Sequence, residues 1–193
     1  MSRLILASTS TWRRQLLADA GIDCEAVDPD VSESEIVGDS PIDTARRRAE
    51  AKALAVIRPH ADTIVLGADQ VIDLDGETIG KPTDDVVWKE RLMSLRGRSH
   101  DLTTAVALVD AHGSEVFHVT TKVRFRGDLS DEELDAYIAS REAKGCAGGY
   151  MVERTGAWLV ESIDGDWLNV LGLPVLKLIG RLRARGWRLG GTP

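Results

Sequence analysis

Cysteine is scarce in this chain. Cys24 and Cys146 stand far apart in 193 residues, and neither has a neighbour at metal-ligand spacing. That excludes a cysteine-held zinc module. It points to free thiols in a reducing, cytoplasmic setting, with a single Cys24–Cys146 disulfide as the remaining alternative. His60, His100, His112 and His118 also lack metal spacing and are expected to be structural. Positive charge is in deficit: the formal net charge is −7. A broad basic face for nucleic acid is therefore not expected, and any anion site must be a local cluster. Long apolar runs are missing as well. The first, "LILA", is too short for a signal-peptide core, and none approaches a membrane span. There is no internal repeat, low-complexity segment or long linker.

What is present suits one globular domain with a substantial core: 43% hydrophobic and 28% charged residues. Leu4–Ala7 predicts a strand, and Thr11–Ala20 a helix stopped by Gly21. A second helix runs from Pro41, capped by Ser40, to a stop at Pro59. "DTIVLGADQVIDLDGETIG" predicts a buried strand, a bend, then a hairpin turning at Asp75-Gly76. A helix capped by Thr83 follows, and then two strands joined by "AHG". Ser130 and Glu133 form a capping-box pattern before another helix. A last hairpin is expected at Asp164-Gly165, and a closing helix after Pro174. Hairpins mixed with helices imply a mixed sheet in an α/β domain. The domain is expected over residues 1–185, with 186–193 a flexible tail.

Several residues carry chemistry. Ser8, Thr9 and Ser10 lie at a strand-to-helix turn, followed by Arg13 and Arg14. Hydroxyls and amides at such a turn bind phosphate, and an anion there would offset arginines placed against the helix dipole. Taken alone, Ser10 is equally a simple cap and the arginines solvated. Lys52 falls on the face made by Ala45, Ala49, Ala53 and Val56. It must snorkel or meet an anion. Asp69 and Gln70 follow an apolar strand, which suits either a catalytic carboxylate or a turn. Lys81 sits between Gly80 and Pro82, and Glu33 and Glu35 lie in an acidic loop. Gly145, Gly148 and Gly149 permit close backbone approach before Glu153, but form no dinucleotide fingerprint. Together these residues are the inventory for a polyphosphate and a divalent metal.

"LILASTSTWRR", "GADQV", "GKP", "CAGGYMVE" and "GLP" occur in an order and spacing that resembles the Maf family of nucleotide pyrophosphatases, over about Leu4–Leu182. The resemblance implies an elongated mixed sheet flanked by helices, with two lobes around a central cleft, as in inosine triphosphatases. It implies hydrolysis of nucleoside triphosphates to monophosphate and pyrophosphate with Mg2+, Mn2+ or Co2+. It puts the catalytic aspartate at Asp69, phosphate-binding groups at Ser8 and Arg13, with Arg14 beside them, and the cleft acid and lysines at Glu33, Lys52 and Lys81. Asp69 and Glu33 are the implied metal ligands. A homodimer is implied on the same ground.

Gln70, Glu153 and Trp12 resemble the 7-methyl-GTP branch of the family; the dTTP/UTP branch carries threonine after the aspartate and glutamine in "YxIQG". Thr11 departs from that branch, which often has proline there. The branch makes physical sense. N7-methylation makes guanine cationic, and tryptophan is the best cation–π partner. A carboxylate at Glu153 accepts from guanine N1–H and its 2-amino group. The alternatives are a dTTP/UTP or broader pyrophosphatase, and a nucleotide-binding regulator of septum formation.

Overall fold

Three long strands dominate, each alternating apolar residues between two faces. The computed structural model describes residues 3–56 and 63–190. Its strands are β1 (Arg3–Ala7), β2 (Glu25–Val27), β3 (Thr63–Leu74), β4 (Glu77–Ile79), β5 (Ser99–Asp110), β6 (Gly113–Phe125) and β7 (Val160–Asp164). They form one sheet in the order β2-β1-β3-β5-β6-β7, with β4 added to the edge of β3. β1 runs parallel to β2 and β3, and the other pairings among the described residues are antiparallel. The expected mixed, elongated sheet is what forms.

Period-two alternation splits the first half of the sheet into two cores. Leu4, Leu6 and Leu66 pack on one face with Leu17 of helix α1 (Thr11–Asp19) and Leu178 and Leu182 of helix α6 (Val175–Ala184). Ile5, Ala7 and Val65 pack on the other with Ala45, Ala49 and Ala53 of helix α2 (Pro41–Val56). At the far end of the long strands, Trp88 and Leu92 of α3 (Asp85–Leu95) and Leu134 and Ile138 of α4 (Asp131–Ser140) form a third core. Two lobes result, joined by β3, β5 and β6.

Several local expectations change. β3 shows no bend at Asp69-Gln70; it is one strand through both residues, so Asp69 is not at a strand end. Asp84, not Thr83, caps α3: its carboxylate accepts from Val87 N at 2.9 Å while Thr83 bonds to Asp84. No hairpin forms at Asp164-Gly165. Asp166 accepts from the amides of Leu168 and Asn169 and caps a short helix α5 (Trp167–Val170), since a cap satisfies orphan amides that a hairpin would leave to a partner strand. Neither cysteine is in a disulfide. The tail is anchored at its start: Trp187 is 7% exposed and packs into the α1–α6 core. Pro59 and residues 191–193 lie outside the described residues.

Gly67 sets how closely α2 approaches the sheet. A Cβ there would lie 2.1 Å from the Ala49 carbonyl oxygen and 2.8 Å from Ala53 N. Both are backbone atoms of a helix that cannot swing aside cheaply. Gly67→Ala is expected to destabilise the fold by about 3 kcal/mol or more in urea unfolding. A loss under about 0.5 kcal/mol would mean that α2 shifts freely.

Candidate active site

The pairing of β1 with β3 ends at Ala7↔Gly67, and β4 takes up the same strand only from Ile72. Between them, Asp69–Val71 form the floor of a cleft of about 750 Å³. Its walls come from both lobes: Ser8–Ser10, Trp12 and Arg13 on one side, and Lys81, Tyr150 and Glu153 on the other. The termination of one short strand therefore makes the cleft. This is the physical counterpart of a strand end, although Asp69 sits within β3.

The charged centre lies on that floor. Lys52 is only 4% exposed. Its Nζ donates to Asp69 Oδ1 and to Glu33 Oε1, each at 2.8 Å, and to the Ala68 carbonyl at 3.3 Å. The lysine on the apolar face of α2 thus meets anions rather than snorkelling. Asp69 is also 4% exposed, and its Oδ2 has no hydrogen-bond partner. Burial alone would raise the Glu33 carboxyl, but the Lys52 hydrogen bond and charge, with Lys81 and Arg13 behind them, hold it below its usual value. Arg13 is half-buried and largely committed to the backbone, with Nε donating to Gly172 O and Nη1 to Ala68 O, each at 3.0 Å. Burial lowers its pKa against the opposing pull of Asp69 and Glu33. Arg13 thus ties α1, β3 and the Gly172 loop into one wall. The Ser8 hydroxyl accepts from Ser10 N, and Ser10 Oγ accepts from Arg13 N as the cap of α1.

Trp12, Gln70 and Glu153 also line the cleft. Gln70 is half-buried. Its amide nitrogen donates to Asn169 O at 2.8 Å and Thr104 Oγ1 at 3.0 Å. With both amide hydrogens spent, only an acceptor oxygen remains on that side chain. Of the sequence-derived residues, Glu35, Gly148, Gly149 and Arg14 do not line the cleft. Arg14 is the one of them with a charge expected at the phosphates. It is exposed and lines a separate shallow hollow with Asp23 and Cys24. Sequence reasoning missed Arg48, which lines the cleft, donates from Nε to Ile36 O at 2.9 Å and stands 4.0 Å from Asp69 Oδ2. One turn before Lys52 on α2, its spacing was the available signal. His100 is structural as expected: it is buried against the Tyr150 hydroxyl at 2.7 Å, and burial pushes its pKa down to about 4.

The residues fit a divalent metal only where other ligands complete its shell. Among the described residues no group of three His, Cys, Asp or Glu side chains could hold an ion alone. Asp69 nevertheless keeps a buried carboxylate oxygen free of hydrogen bonds, and Lys52 draws Glu33 beside it. Mg2+ is commonly held by one or two carboxylates, with substrate phosphates and water completing the shell. No helix among the described residues is long and apolar enough to cross a membrane.

A family model described as Maf-like protein matches residues 3–185. A dTTP/UTP pyrophosphatase of Bacillus cytotoxicus is 39% identical over 183 residues, covering 95% of each chain. A protein of the same name from Aquifex aeolicus is 41% identical over 181 residues, covering 94% of each. Among solved structures, the Staphylococcus aureus Ham1 protein matches with a TM-score of 0.47 at 17% identity, over 65% of this chain and 73% of that one.

Proposed function

The chain belongs to the Maf family, and from that premise we propose that it hydrolyses a nucleoside triphosphate to the monophosphate and pyrophosphate. The observation that carries this reading is the buried floor of the cleft. There one carboxylate oxygen, Asp69 Oδ2, stands without a hydrogen-bond partner, 4.0 Å from Arg48 and beside an ammonium shared with Glu33. Water attacks the α-phosphorus, its proton passes to Asp69 Oδ2, and the bond to the bridging oxygen breaks to release pyrophosphate. Lys52, Lys81 and the unspent hydrogens of Arg13 meet the phosphates and the charge that gathers on the leaving group. Ser8 cradles a phosphate from the turn before α1. Asp69 and Glu33 would hold a divalent cation, which lowers the pKa of bound water and neutralises phosphate charge.

For the base, the proposal is 7-methyl-GTP. Gln70 retains only an acceptor, and Glu153 is a carboxylate, so the two together suit the N1–H and 2-amino donors of guanine. Trp12 offers an aromatic face to a cationic base. A second reading, dTTP or UTP, is favoured by the names of the relatives. Pyrophosphate release from 7-methyl-GTP, GTP, dTTP and UTP with Mg2+ or Mn2+ separates the two. The methylated nucleotide is expected to be fastest. A rate no higher than with dTTP selects the second reading, and no turnover of any of them selects a nucleotide-binding regulator. Trp12→Ala is expected to narrow the preference for methylated over plain GTP about two- to ten-fold. An unchanged ratio would remove Trp12 from base recognition.

A further inference from the structure

We propose that Arg154 sets the charge preference of the base end of the cleft by lying on Trp12. The Arg154 guanidinium carbon is 5.4 Å from the centroid of the Trp12 ring. Trp12 is 39% exposed and lines the cleft; Arg154 is exposed and does not line it. The cation is therefore laid on the ring from outside. It comes from the lobe opposite α1, because Arg154 follows directly on Glu153, which does line the cleft. One dipeptide thus delivers opposite charges to one site: a carboxylate towards the base and a guanidinium onto the surface that stacks with it.

The consequence follows from the ring's quadrupole. A tryptophan face attracts a cation through negative charge concentrated in its π system. A second cation, on either face, meets repulsion from the first across the thickness of a ring. A neutral base stacks mainly by dispersion and burial, and loses little. Arg154 accordingly lowers the hold of Trp12 on a cationic base such as 7-methylguanine relative to guanine itself. It is a specificity-determining residue that acts through Trp12 rather than on the phosphates. This inference rests on the reading that Trp12 stacks with the base.

The test is the ratio of kcat/KM for 7-methyl-GTP over GTP. Both carry the same triphosphate, so phosphate contacts cancel from the ratio. In Arg154→Ala and Arg154→Gln the ratio is expected to rise about two- to five-fold, the size of one exposed cation–π contact. Arg154→Lys should stay near the parent ratio. In a Trp12→Ala background the removal of Arg154 should shift nothing. An unchanged ratio in Arg154→Ala while Trp12→Ala still alters it overturns the inference alone. A ratio insensitive to both variants overturns the stacking reading beneath it as well. An equal fall in kcat/KM for both nucleotides, with the ratio fixed, would put Arg154 on the triphosphate and also overturns it. A readout without substrate is acrylamide quenching of tryptophan fluorescence. Quenching should increase in Arg154→Ala, and the increase should vanish in a Trp12→Phe background; equal quenching in Arg154→Ala and the parent counts against the contact.

Discussion

Asp69→Asn is expected to lower kcat by about 10³-fold while nucleotide binding stays measurable. The two oxygens of Asp69 do different work. Oδ1 accepts from Lys52, and Oδ2 is buried without a hydrogen bond at the cleft floor. Asparagine keeps an acceptor for Lys52, so the wall of the cleft survives. At the other position it puts an amide, which can neither take a proton from water nor serve as an anionic metal ligand. The substitution therefore removes chemistry and leaves the scaffold. Steady-state rates of pyrophosphate release give the kcat, and calorimetric titration with a non-hydrolysable triphosphate gives the binding. Activity within about ten-fold of the parent would take Asp69 out of the mechanism. Loss of binding together with turnover would make it a structural anion instead.

Much of this site was legible because local chemistry demanded it. A lysine on the alanine face of α2 can be buried only against anions, and the structure supplies Asp69 and Glu33. Arginines in the first turn of α1 oppose the dipole. Arg13 proves to be held by the two carbonyls of Ala68 and Gly172, and Arg14 by none of the cleft groups. The same charge pattern thus has two outcomes, because adjacent helical positions face different ways. Other features depended on tertiary placement that no local pattern encodes. β2 is three residues long and stands at the sheet edge, too short to show alternation. The bend expected within "DTIVLGADQVIDLDGETIG" does not form, and β3 continues through Asp69 and Gln70. Gly67, within that strand, has no room for a side chain because the backbone of α2 lies against it. The commitment of the Gln70 amide to Thr104 and Asn169 requires α5 to pack on β5. Arg154 could not be tied to Trp12 from sequence, since the two come from opposite lobes.

Lys52→Met is expected to be the most destabilising single substitution in the cleft, at about 3 kcal/mol at neutral pH. Lys52 is nearly fully buried and its Nζ is shared by two carboxylates and a carbonyl. Methionine fills a similar volume, so little of the loss comes from a cavity. The loss comes from two anions left facing each other without the cation between them. Glu33 is half-exposed, and solvent screens its share, which keeps the figure at the low end of buried-pair losses. The pH dependence distinguishes this cause from simple mispacking. In the parent, Glu33 titrates below its ordinary value of 4.5. Its contribution to stability is therefore present above about 4.5 and lost as pH falls through the lower folded value. Without Lys52 the depression disappears, and neutralising Glu33 relieves its repulsion with Asp69. The variant should accordingly lose less stability on acidification than the parent does. Urea unfolding at pH 7 and near pH 4 should show the stability gap between the two proteins narrowing at the lower pH. A gap that stays constant, or widens, would assign the effect of Lys52 to packing and remove the ammonium as the link between the two carboxylates.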